Sequence, residues 1–253
     1  MEASSRISKR ATFALLCALA FSTIAGVRSL ESSPRTALAP AAAFPFSYWK
    51  SASAPTPTPT ATPDPNPITR TYVSGGDTNG VFYFAGQNFS TAGTWTNPHT
   101  AGRVVIVRSS DGVGTATHIV DRASQDTYTT NAANSWISAD LGSSRTLIVS
   151  KYWVKLRNVS DPRALRNWKL QGTNSSAGNS VAQLAAATWT DLDTHVSDTT
   201  IPNTSGANSV FTVSPTPSAY RWIRILQNGL NGGAGPDNYL ALDEIELYGV
   251  FAY

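Results

Sequence analysis

The 253-residue sequence holds a single cysteine, and only 14% of its residues are charged. One cysteine cannot close an internal bridge, which excludes a disulfide scaffold. A long coiled coil would be rich in Ala, Glu, Lys and Leu, and that texture is missing. There is no GxxxxGK[ST], no HExxH and no GxSxG. Those spacings would announce a phosphate loop, a zinc protease or a serine hydrolase. The histidines, His99, His118 and His195, stand far apart and read as loop or strand-edge residues. The carboxylates are scattered, and no facing pair for glycoside hydrolysis can be singled out. These absences point away from an enzyme and leave function to be sought in binding.

The net charge is +3 and the pI is about 9.1, values that invite polyanionic partners. The basicity is not spread through the chain. Arg6, Lys9, Arg10 and Arg28 face Glu2 alone within residues 1–29. An uncharged apolar run, residues 11–27, follows the basic start, with small residues at its end. This pattern reads as a secretory signal peptide cleaved around residues 25–29; the alternative is an uncleaved membrane anchor. Cys17 lies inside the run and not at its end, which argues against a lipoprotein. The rest of the chain has 15 basic and 15 acidic residues and no cysteine. Nucleic acid is therefore not expected as a partner. A membrane is expected only through an uncleaved leader. The expected location is secreted, or the surface of a cell or virion.

Residues 30–69 divide into two parts. The first is rich in Ala and Ser and carries the aromatic cluster Phe44, Phe46, Tyr48 and Trp49. The second, residues 55–67, reads PTPTPTATPDPNP. Alternating proline favours extended polyproline II and forbids a packed core. A disordered N-terminal region with a stiff linker of roughly 40 Å is expected, at about 3.1 Å per residue.

Residues 70–253 have the texture of one all-β domain. Short apolar or alternating runs are separated by Gly, Asn, Ser, Asp and Pro. Candidate strands are 103–108, 136–141, 146–156, 168–171, 210–213, 220–226 and 244–248. In WISADL, Ile137, Ala139 and Leu141 share one face, the half-buried strand pattern. Only residues 181–187 suggest a turn or two of helix. Many short strands without intervening helices predict an antiparallel β-sandwich. Lys151, Lys155, Arg157, Arg163, Arg166 and Lys169 gather locally. They read as solvated strand faces whose stems cover apolar surface, with an anion or acidic-glycan site as the alternative.

Three segments resemble a family when taken together. They are NSWISADLG (134–142), the stretch 152–172 with its ALRNWKLQG, and residues 220–249 with RWIRILQNG and YLALDEIELYG. They resemble the galactose-binding-domain-like superfamily, the discoidin or coagulation-factor type C group. GVFYFAGQNFSTAGTWTNPHTAGRVVIVRSS (80–110) is similar to the branch found in BTB-domain proteins and in a HECT-type ubiquitin ligase. The resemblance implies an antiparallel jelly-roll sandwich, a five-stranded sheet on a three-stranded one. Leu165, Trp168 and Leu170 are then core, and Arg166 pairs with a carboxylate. It further implies a non-catalytic module that binds ligands through loops at one end. For an exported member the expected ligand is a carbohydrate; the alternative is a structural or protein-interaction module with a surface-protein partner. Sugar recognition stacks C–H faces on aromatic rings and meets hydroxyls with planar donors and acceptors. The candidates are Tyr83, Phe84, Trp95, Asn97, His99, Asn228, Asn231 and Tyr239, with Trp95 foremost because Asn97-Pro98 places it on a turn. The resemblance also implies a structural calcium at Asp121, Asp126 and Glu244. The alternative for Asp121 and Asp126 is a pair of solvated loop carboxylates.

Overall fold

The computed structural model describes residues 67–253. The expected leader, linker and aromatic cluster of residues 44–49 lie outside the described residues. Among the described residues nine strands form two antiparallel sheets. In chain order they are β1 (Ile68–Arg70), β2 (Val105–Arg108), β3 (Trp136–Asp140), β4 (Thr146–Lys155), β5 (Trp168–Thr173), β6 (Thr190–His195), β7 (Asn208–Thr212), β8 (Trp222–Gln227) and β9 (Glu244–Ala252). One sheet has the order β2-β3-β8-β5-β6 and the other β1-β9-β4-β7. The second sheet has one strand more than the resemblance implied. That strand is β1, which adds to the edge of β9 with Ile68 opposite Phe251.

Alternation dictates which residues face inward. Ile137 and Ala139 of β3, Ile223 and Ile225 of β8, and Trp168 and Leu170 of β5 join one buried core. Strand β4 changes parity within itself. Leu147 and Val149 face inward, then Tyr152, Val154 and Leu156 do so. The register against β9 shifts between Val149 and Lys151. One extra residue in a strand flips every later side chain, and a bulge absorbs it. Trp168, Leu165, Leu147 and Phe251 are completely buried. Each such side chain contributes roughly 1.5–3 kcal/mol relative to exposure.

The outer face of the five-stranded sheet is covered by the chain itself. Residues 174–189 fold back over it and include helix α2 (Val181–Ala186). Ser180 and Gln183 cap α2 reciprocally. Leu184 packs on Trp136 and Trp222, with Trp189 beside them. Asp140 holds Arg221 through both carboxylate oxygens, at 2.6 and 2.7 Å, and accepts from Asn179 Nδ2 at 2.7 Å.

One polar network ties the two sheets together. Trp168 Nε1 donates to the Tyr152 hydroxyl (3.0 Å), which donates to Asp193 Oδ2 (3.0 Å). The His195 ring stacks on Trp168 with centroids 3.9 Å apart. Its Nε2 lies 2.8 Å from Asp193 Oδ2 and its Nδ1 2.6 Å from Asp198 Oδ2. Burial works against the charged imidazole, but the two carboxylates outweigh it and hold the His195 pKa above its ordinary value.

A short helix, α1 (Val81–Gly86), stands where the sequence predicts a loop. Gly80 caps it without a side chain. Glu246 of β9 takes that role. Its carboxylate accepts from the amides of Phe82 (2.8 Å), Tyr83 (3.0 Å) and Leu247 (2.9 Å). A Cβ on residue 80 would collide with the Glu246 side chain, so glycine is required there.

Candidate functional site

The candidate residues fall into two groups that do not meet. Trp95, Asn97 and His99 lie in a loop against the β2 edge of the sandwich. His99 Nδ1 accepts from the amide of Ile106 (3.0 Å), which sits at the level of Ile223. Asn228 follows the last residue of β8. Five residues of strand separate those levels, about 17 Å.

Most polar groups of the edge loop are directed inward. Asn97 Nδ2 donates to the carbonyl of Thr117 (2.9 Å), and its Oδ1 accepts from the amides of His99 (2.9 Å) and Thr100 (3.1 Å). This is an Asx turn, a local backbone device. Burial holds the His99 pKa below its ordinary value, opposed by a hydrogen bond with the Val104 backbone. Trp95 is half-buried, stacks on Tyr83 at 6.5 Å and lies against Gly86. Tyr83 belongs to α1, and Phe84 beside it is buried in the core. The structure therefore does not bring Asn228 together with Trp95, Asn97, His99 and Tyr83. They build the edge that carries α1 and β2.

The end loops differ. Residues 127–129 pair with 240–242: Thr129 N donates to Leu240 O (3.0 Å) and Leu242 N to Thr127 O (3.2 Å). Tyr128 forms isolated bridges with Val113 and Ala241. This pairing sets Tyr128 against Tyr239, edge to face at 5.3 Å. A third loop, between β4 and β5, brings Arg163. Its guanidinium lies over Tyr239 at 4.1 Å and near Tyr128 at 5.4 Å. Arg163 has φ +58°, a left-handed conformation uncommon outside glycine. Its Nε lies 3.3 Å from Asp237 and 3.7 Å from Asp161. Gly232 N donates to Ala164 O (2.8 Å), joining the loop that carries Arg163 to the loop that follows β8.

Asn231 is the pin of this end. It is buried beneath the loop surface. Its Nδ2 donates to Asp237 Oδ1 (2.5 Å) and Tyr239 O (3.0 Å), and its Oδ1 accepts from the amides of Gly233 (3.0 Å) and Asp237 (3.4 Å). Tyr128 and Tyr239 are partly exposed and Asn228 is exposed. Tyr239 and Asn228 are among the candidates read from sequence; Tyr128 is not, and Arg163 is read there as part of a solvated basic run.

That basic run disperses into specific contacts. Buried Arg157 donates to Asp126 Oδ1 and to Asp161 O, both at 2.6 Å, and lies under Tyr128 at 4.7 Å. Lys155 pairs with Asp243 and Lys169 with Asp191, each at 2.6 Å. Arg166 donates to the carbonyls of Leu165, Asp198 and Ile201, not to the carboxylate expected for it.

The three expected calcium ligands are not brought together. Asp126 is turned to Arg157. Asp121 accepts from the amide of Ala123 (2.8 Å). Glu244 is buried beside it, and its Oε1 has no hydrogen-bond partner. Burial, then the negative charges of Asp121, Asp243 and Glu246, push the Glu244 pKa up to about 9, opposed by Arg122. Among the described residues no group of three acidic, histidine or cysteine side chains could hold a metal ion. Nor is any described helix long and apolar enough to cross a membrane.

No protein-family model matches the chain. It is 32% identical over 181 residues to the E3 ubiquitin-protein ligase Ufd4 of Drosophila melanogaster, covering 68% of this chain. It is 29% identical over 182 residues to the E3 ubiquitin-protein ligase hecd-1 of Caenorhabditis elegans, covering 70% of this chain. The chain spans about 6% of the length of each ligase. The branch named from residues 80–110 is thus met again. The fold itself is an antiparallel β-sandwich of a five-stranded and a four-stranded sheet. Among solved structures, the family 32 carbohydrate-binding module of Clostridium perfringens NanJ in complex with galactose is 15% identical, with a TM-score of 0.41. That match covers 58% of this chain and 94% of the other.

Proposed function

We propose that this domain is a non-catalytic binding module that recognises carbohydrate through its end loops. The observation that carries this reading is the meeting of Tyr128, Tyr239 and Arg163, brought together from three loops. Two partly exposed rings offer the faces that sugar C–H groups stack on. Arg163 supplies a planar set of donors for hydroxyl oxygens. Its unusual backbone conformation is the kind of local strain that collects at binding sites. Asn228, exposed at the start of the β8–β9 loop that also carries Tyr239, offers a further amide. Export through the N-terminal leader and display on the proline-rich linker belong to the same proposal.

A glycan array with the full chain tests it. Binding to at least one glycan is expected. Tyr239→Ala should weaken that binding by about tenfold or more, the usual effect of losing a stacked ring. An array blank with and without calcium, or binding indifferent to Tyr239→Ala, overturns the reading. A second reading is a protein-interaction module, which the likeness to one segment of two ubiquitin ligases favours. Capture of a surface protein that Tyr239→Ala and free sugar leave unchanged would support it.

A further inference from the structure

A cavity of about 280 Å³ opens on the outer face of the four-stranded sheet. It is lined by Trp153 and Lys155 of β4, Asn208 of β7, Glu244 and Glu246 of β9, and Arg122. Strand register explains the grouping. Trp153 lies opposite Glu246, Lys155 opposite Glu244 and Asn208 opposite Lys155, all on the face turned from the core. The backbone of Gly75 and Gly76 closes one side.

Nearly every charged group here is already engaged. Glu246 spends both oxygens on three amides. Asp243 accepts from the amide of Gln125 and sits 2.6 Å from Lys155 Nζ. Arg122 donates to the carbonyls of Gly76 (2.6 Å) and Asp77 (3.1 Å) and lies over the Tyr83 ring. Trp153 Nε1 donates to Asn208 Oδ1 (3.0 Å). The exception is Glu244, which is 6% exposed and lines the cavity with an unpartnered Oε1. A buried carboxylate oxygen without a donor is costly, and a ligand donor would relieve it.

The surroundings select the donor. Four carboxyl groups, Asp121, Asp243, Glu244 and Glu246, crowd together against the two cations Lys155 and Arg122, and this crowding makes Glu244 hold its proton near neutrality, a place an ammonium group can take. A single positive charge is therefore welcome. A divalent ion wants six to eight oxygens, and most oxygens here are taken. The cavity also holds far more than a bare ion, since a water-sized occupant takes about 30 Å³. We infer that this cavity binds a small ligand bearing a primary ammonium group, which donates to Glu244 Oε1 while its organic body rests against Trp153. This site is separate from the glycan site proposed above and does not depend on it.

The test is titration of the nitrogen-15-labelled full chain with ethanolamine, following the indole N–H resonance of Trp153. Ethylene glycol and calcium chloride are titrated in parallel. Ethanolamine is expected to shift that resonance saturably and ethylene glycol to leave it in place. Glu244→Gln keeps the shape and removes the ability to ionise beside the ammonium group, and should weaken the ethanolamine response by about tenfold or more. Tyr239→Ala, which disables the proposed glycan site, should leave the response unchanged. Equal response to ethylene glycol overturns the inference in favour of a polyol pocket. Response to calcium alone overturns it in favour of a metal site. An unchanged titration in Glu244→Gln overturns it as well. The comparison of ethanolamine with ethylene glycol needs no variant, so a variant that fails to fold does not spare the inference.

Discussion

The edge loop and the end loops are made of similar residues put to different uses. At the edge, Asn97 spends its amide on a carbonyl and two backbone N–H groups, and His99 accepts from a strand amide. At the end, Asn231 does the same work from beneath, and that frees Tyr128, Tyr239, Arg163 and Asn228 to stay near the surface. The difference teaches that residue type alone does not decide how a loop is used. In the proposed function the end loops differ by a second, buried layer that takes over the backbone's hydrogen bonds.

Removing that layer gives the largest expected effect. Asn231→Ala deletes two donated and two accepted hydrogen bonds in a buried position. A cost of about 3 kcal/mol is expected, because the abandoned groups stay buried. Glycan affinity should fall with it, since Asn231 holds the carbonyl of Tyr239. Denaturant unfolding and glycan binding measured on one preparation check both. Full glycan affinity in a destabilised Asn231→Ala would break the comparison, by showing that the end loops need no such layer.

The two regions should also answer pH in opposite directions. The His195 pKa is raised by Asp193 and Asp198 against its burial. Its contribution is fully present below the unfolded value of about 6.5 and is lost as pH rises through the folded value. Asp193 and Asp198 are held below the usual carboxylate range: burial opposes this, and hydrogen bonds to His195 and Thr200 among others prevail. They stay charged across that window. His99 is displaced the other way by burial, and its Nδ1 must stay unprotonated to accept from Ile106. Its contribution is present above about 6.5 and is lost as pH falls through its lowered value. His195→Gln is expected to cost about 2 kcal/mol below neutrality and less in alkali. His99→Gln is expected to cost about 1 kcal/mol at neutral pH and less in acid. Unfolding midpoints near pH ~5 and ~9 test the signs. The same sign for both histidines would remove the contrast. The His195 partner Asp198 also donates its amide to Arg166 O (2.8 Å), three residues after Arg163. Alkali should therefore loosen the end before the edge.

The strands were legible because alternation of period two is local. WISADL, RWIRILQ and EIEL declare their faces within six residues. Helix α1 was not legible. GVFYFAG has no polar cap of its own, and the group that caps it, Glu246, lies 164 residues from Phe82. The bulge in β4 is visible in TLIVSKYWVKL only as an inward pair and an inward triplet out of phase. The site was half legible for the same reason. Tyr239 and Asn228 stand next to recognisable turn residues, whereas Tyr128 becomes a partner ring only through its bridge to Ala241. Arg163 could not be told from its basic neighbours by spacing, because Asp126 and Asp237 sort them from other loops.

Two asparagines give the finest comparison and the smallest effects. Asn97→Ala removes an acceptor for the amides of His99 and Thr100 and a donor to Thr117. Thr100 is exposed, so water replaces part of what is lost, and about 1 kcal/mol of stability is expected to go. Glycan affinity should not change, because the turn lies about 17 Å from Asn228 along the strands. Asn228→Ala should do the reverse. Its side chain is exposed, so stability should move by less than about 0.5 kcal/mol. Glycan affinity should fall about threefold, the effect of a rim hydrogen bond that water partly replaces. Each variant is scored on both measurements, so neither result can be explained by the other. Loss of glycan binding in Asn97→Ala with stability intact would place the site at the edge and not at the end.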